Sequence, residues 1–138
     1  MARRKTVIVI GTADTKGPEL AYLKEQVISS DCQALLMDVG VHNQSETVAD
    51  INAGEVARTI REDIDVLQAL PRGEAVEKIS IVASVLLLQL VLEEKAHGVI
   101  GLGGSGGTTI CAAAMRGLPY GIPKLLVSPL ASGNTRGM

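Results

Sequence analysis

Short β-branched blocks alternate with amphipathic stretches along this chain, and that alternation predicts its elements. Thr6 to Ile10 is an apolar run ending at Gly11, which reads as a buried strand. Asp14 or Thr15 is placed to cap a following helix, with Pro18 in its first turn and Glu19 suited to its positive end. Leu20, Leu23, Val27 and Ile28 share one face of that helix, which runs to about Ser30. Gln33 to Met37 is a second strand, closing on Asp38-Val39-Gly40.

A polar loop from Val41 leads into Asp50 to Leu70, where short helices broken at Gly54 point Val56, Ile60, Ile64 and Leu67 inward. Pro71-Arg72-Gly73 reads as a hinge-like turn. Glu74 to Lys95 is the longest helical pattern, apolar nearly all round in its second half, so it is expected between layers. Gly98 to Leu102 is a third strand, Ser105 to Arg116 its helix, and Lys124 to Val127 a fourth strand. Strands alternating with helices predict an α/β fold: a three-layer, Rossmann-like domain with a mainly parallel sheet. At 138 residues the chain, 1–138, is expected to form a single domain.

Gly103-Gly104-Ser105-Gly106-Gly107-Thr108 lies between the third strand and its helix. Such a turn lets backbone N–H groups close around an anion at a helix N-terminus, and Ser105, Thr108 and Thr109 add hydroxyl donors. A phosphate is the natural guest. A close-packed strand–helix turn is the alternative reading of the same glycines. Each other polar motif also follows a strand: Gly11-Thr12-Ala13-Asp14-Thr15-Lys16, Asp38-Val39-Gly40, and Ser128 to Thr135. In a parallel sheet all four meet at the carboxyl edge, where open α/β folds bind ligands.

Lys16 is a candidate point charge for a terminal phosphate, or a solvated lysine at a helix start. Asp14 is a candidate for a water-mediated magnesium contact or for a helix cap, and Asp38 stands where doubly wound folds bind a ribose hydroxyl. The turn lacks the Gly-Lys-Ser/Thr ending of a P-loop. No nucleophile–base pair stands out. His97 falls on the wrong edge, and His42 is a lone loop histidine.

The formal net charge of −2 gives no basic footprint for nucleic acid. With Tyr22 and Tyr120 as the only aromatics, base-stacking platforms are not expected. Cys32 and Cys111 lack metal-ligand spacing and are expected as reduced core residues, so no protein metal site is predicted. The apolar stretch Ile79 to Leu92 is shorter than the roughly 20 residues that span a bilayer. With no secretory signal visible, the expectation is a cytoplasmic protein with no membrane partner.

The strings GTADTKGPELAYLK, GVIGLGGSGGTTICAAAMRGLPYGIPKLLVS and ASGNT together resemble the ATP-binding domain family named for the tomato inhibitor of tomato mosaic virus RNA replication. The likeness runs from about Val7 to Thr135, and the combination of motifs is far more specific than any one of them. It implies a nucleotide-binding domain, often homodimeric, with ATP at the strand ends and no established reaction. Carried over by motif, Thr12, Asp14, Thr15, Lys16 and Gly103 to Thr108 would face phosphate. Ser128, Ala131, Ser132, Gly133 and Asn134 would form a further wall. Family members continue into a second α/β lobe, so this chain resembles the first part of a two-lobe protein. The expectation is an ATP-binding domain using the GGSGGT loop in a regulatory or assembly role, with magnesium as companion ion and a homo-oligomer, second lobe or protein as partner. The competing expectations are a phosphotransferase or hydrolase acting on a small phosphorylated substrate, and a plain dimerisation module.

Overall fold

A computed structural model describes residues 4–40, 47–58, 61 and 63–129. Its elements are β1 (Thr6–Gly11), α1 (Ala13–Ser29), β2 (Gln33–Asp38), α2 (Ala53–Arg58), α3 (Ile64–Ala69), α4 (Arg72–Leu92), β3 (Gly98–Leu102), α5 (Ser105–Arg116) and β4 (Lys124–Val127). The four strands pair in the order β2-β1-β3-β4, every neighbour parallel. Alternation along β1 divides the core. Ile8 and Ile10 pack with Val56, Ile79, Val82 and Cys111 of α2, α4 and α5. Val9 turns the other way, with Leu36, onto Leu20 and Val27 of α1. Helices thus cover both faces of a parallel sheet, the expected three-layer, Rossmann-like arrangement.

Gly11 pairs with Asp38 on one side and Leu102 on the other, and Leu102 pairs with Val127. The four strand ends therefore stand in one row, and the turns after them leave from one edge. Three turns reach the opposite edge, those leading into β2, β3 and β4, and their contacts are structural. His97, for example, accepts the Thr6 N–H on Nδ1 at 3.0 Å.

Local signals explain several boundaries, and four expectations change. Helix α1 begins at Ala13, with Thr12 as its N-cap, and bends at Lys16 (φ −127°, ψ 27°). Pro18 has no N–H for the Asp14 carbonyl and its ring crowds that carbonyl, so the first turn is set apart from the main helix. Neither Asp14 nor Thr15 is the cap. Gly54 lies inside α2, whose start is a reciprocal box: Glu55 N–H donates to Asn52 Oδ1 at 2.9 Å and Asn52 N–H to Glu55 Oε1 at 3.4 Å. The helix instead ends at Arg58, and Arg61 has a left-handed φ of 60°. Ile60 lies outside the described residues.

Pro71-Arg72-Gly73 is no hinge. Pro71 is the N-cap of α4, and Arg72 and Gly73 form its first turn. Helix α4 then carries the chain across from β2 to β3. It packs one face only: Ala75, Ile79, Val82, Ala83 and Leu87 are buried, whereas Ile81, Val85 and Leu92 are 58%, 52% and 67% exposed. Its 21 residues make it long and apolar enough to cross a bilayer by length and composition. Within this fold it is the helix that crosses over to β3.

Candidate functional site

The chain leaves β1 into α1 on one face and leaves β3 into α5 on the other. Since β1 and β3 are neighbours, a crevice opens between their turns, the switch point at which open α/β sheets hold ligands. A cavity of about 480 Å³ occupies it. The β1 turn lines it with Thr12, Asp14, Thr15 and Lys16, and the β3 turn with Gly104, Gly106 and Gly107. Val39 and Gly40 after β2, Arg72, Val76 and Ile79 of α4, and Ile110 of α5 complete the wall.

The glycines of the β3 turn serve different ends. A Cβ on Gly103 would stand 2.7 Å from the Gly107 carbonyl carbon, so no side chain fits where the turn folds back on itself. One on Gly107 would meet Thr12 Oγ1 at 3.3 Å, across the crevice. One on Gly104 would meet nothing within 4 Å and would project into open space. None of these glycines has a left-handed φ, so room and not backbone dihedral is what they supply.

Gly104 is the N-cap of α5 and makes no side-chain cap bond, and the first helical bond runs from Thr108 N–H to Gly104 carbonyl at 2.8 Å. The N–H groups of residues 105–107 precede any intrahelical acceptor at the end where the helix dipole is positive. Gly40 admits the Asp14 carboxylate: a Cβ there would run into it. Thr12 and Thr15 share a hydroxyl–hydroxyl bond of 2.8 Å at the mouth.

Several expected site residues support the crevice from behind. Asp38 does not line it; its Oδ1 accepts the Ala13 N–H at 3.0 Å and the Gly40 N–H at 2.8 Å, tying the β2 turn to the start of α1. Burial pushes the Asp38 carboxyl above its ordinary value, against the pull of the two N–H groups, and the charge of Asp14 adds to the rise. Thr108 is buried and donates to the Gly103 carbonyl at 3.1 Å, while its Oγ1 lies 2.7 Å from Ser128 Oγ. Thr108, Gly103 and Ser128 thus clamp the turns after β3 and β4 together. Ser105 is placed as the first residue of α5. Ala131, Ser132, Gly133, Asn134 and His42 lie outside the described residues.

Val39 and Gly40 belong to the motif expected at this edge after β2, whereas Arg72, Val76, Ile79 and Ile110 are site residues that sequence reasoning missed. Arg72 is the one with charge. Its signal was available in the Pro preceding a long apolar helix, which marks a helix start as readily as a turn.

Fold and crevice together define a class: a Rossmann-like α/β domain whose glycine turn opens onto a cavity at the switch point. Residues 5–138 match the N-terminal domain of the uncharacterised protein family UPF0261, and the chain belongs to that family. It is 40% identical over 133 residues to a UPF0261 protein of Clostridium tetani, covering 96% of this chain and 33% of that protein. A Rhizobium meliloti UPF0261 protein is 39% identical over 137 residues, covering 94% of this chain and 32% of its own length. The ToMV resistance protein Tm-1(GCR237) of Solanum lycopersicum is 37% identical over 145 residues, covering 94% of this chain and 19% of its own. The chain therefore spans about a third of these bacterial relatives and about a fifth of the tomato one.

Proposed function

We propose that this is an ATP-binding domain with a regulatory or assembly role, the triphosphate lying in the crevice between the β1 and β3 turns. The observation that carries the reading is the open space at Gly104, framed by the α5 N-terminus on one side and Thr12, Thr15 and Lys16 on the other. The N–H groups at the α5 start and Lys16 would hold phosphate. Among the described residues no group of three His, Cys, Asp or Glu gathers at one point. Magnesium would arrive with the nucleotide, keep most of its water, and meet one protein carboxylate, Asp14, whose hard oxygens suit it. The ion would neutralise phosphate charge beside that carboxylate.

A regulatory role fits tomato relatives named for ToMV susceptibility and resistance, names that describe no reaction. A cytoplasmic location and a homo-oligomer, or a partner lobe where the relatives continue, belong to the same proposal. Titration calorimetry with ATP, ADP and a sugar phosphate tests it. The expected result is ATP binding without turnover, abolished in Gly104→Val, whose side chain would fill the phosphate volume. Turnover would move the reading to a phosphotransferase or hydrolase. Full ATP affinity in a folded Gly104→Val variant would remove phosphate from the turn.

A further inference from the structure

We infer that Arg72 contacts the ligand of this crevice, and that the ligand class it selects carries at least two linked phosphate groups. The inference rests on the phosphate reading above and adds a wall to it. Arg72 stands in the first turn of α4, an element separate from both the glycine turn and the start of α1 that carries Lys16, yet it lines the same cavity. Its Nη2 lies 3.6 Å from where a Cβ of Gly106 would stand, so the guanidinium lies along the start of α5 instead of pointing away from it. The missing side chain at Gly106 leaves that approach open.

Charge narrows the ligand. Neither Arg72 nor Lys16 belongs to an ion pair among the described residues, unlike the cations of Arg4–Asp31, Lys24–Asp50 and Lys95–Glu93. Two cations without carboxylate partners thus enter one cavity from two elements. A single phosphate seated on the α5 N–H groups is already served by the guanidinium fork, which matches its oxygens two at a time. Lys16, arriving from the α1 side as a point charge, is matched by a second anionic group joined to the first.

Calorimetry at fixed, low salt with inorganic phosphate, pyrophosphate, tripolyphosphate and ATP tests this on the wild-type chain, Arg72→Ala and Arg72→Lys. Pyrophosphate and tripolyphosphate should bind at least about ten-fold tighter than phosphate, and Arg72→Ala should lose about ten-fold for both, with Arg72→Lys recovering only part because it lacks the fork. Arg72 is exposed, so the variants should unfold at the wild-type temperature, which a thermal scan checks. Wild-type ATP affinity in Arg72→Ala would overturn the inference and leave the nucleotide reading standing. Arg72-dependent tripolyphosphate binding with no ATP binding would do the reverse. Equal affinity for phosphate and pyrophosphate would overturn the ligand class, and binding of no phosphate compound would overturn both readings.

Discussion

Asp38 holds two turns together through one oxygen, and its burial sets a pH signature. In Asp38→Ala the N–H groups of Ala13 and Gly40 lose their acceptor, at a cost of about 1–3 kcal/mol for each buried donor left unmet. Asp38→Asn keeps an acceptor and should lose much less. Because burial raises the Asp38 carboxyl, its contribution to stability is present in acid and lost as pH rises through the folded value. Urea midpoints should therefore shift in favour of Asp38→Asn, relative to wild type, on going from about pH 3.5 to about pH 7. A shift in favour of wild type would mean that the two N–H groups outweigh burial. Cys111 gives a second residue-scale test. It is fully buried, donates weakly to the Ile10 carbonyl at 3.5 Å, and burial pushes its thiol up to about 12. A thiol reagent near neutral pH should modify half-buried Cys32 in the native protein and Cys111 only on unfolding.

At the scale of elements, the bend at Lys16 is what separates the first turn of α1 from the helix behind it. Restoring an N–H at position 18 with Pro18→Ala removes the ring that crowds the Asp14 carbonyl, so the first turn should rejoin the helix and Lys16 should leave its non-helical conformation. The expected outcome is unchanged or higher thermal stability with ATP affinity reduced by about ten-fold, the scale of one displaced charged contact. Unchanged affinity would show that the bend does not set the site. Which features were legible follows from how local their causes are. The spans of β3, α5 and β4 are those expected from pattern alone, since turn glycines and β-branched blocks bound them. The shared edge of the four turns followed from the parallel sheet. The tie on the Ala13 N–H was hidden because its acceptor, Asp38, lies 25 residues away in sequence and one strand over in space. Arg72 was hidden because Pro-Arg-Gly has turn chemistry, and only the tertiary path of α4 brings it back to the ligand edge. Asn52 and Glu55 were readable as a capping box, and Gly54 drew attention away from them.

For the molecule as a whole, the surface still to be accounted for is the outer side of α4. Ile81, Val85 and Leu92 stand more than half exposed, at spacings that place them along one side of the helix, beside partly buried Leu88. Burial is worth about 25 cal/mol for each Å² of apolar surface removed from water, so a stripe of this kind gains substantially from pairing. A second copy presents the same stripe, and a two-fold axis lets each cover the other, which is the commonest closed solution. We therefore expect a homodimer joined through α4. Sedimentation across a dilution series should show dimer giving way to monomer. Val85→Glu, at a position that already faces outward, should shift the balance to monomer without changing the unfolding temperature greatly. A wild-type chain that stays monomeric at high micromolar concentration would end the expectation. A dimer indifferent to Val85→Glu would move the contact elsewhere, with the edge strand β4 next in line, where Leu125 and Val127 are 57% and 44% exposed.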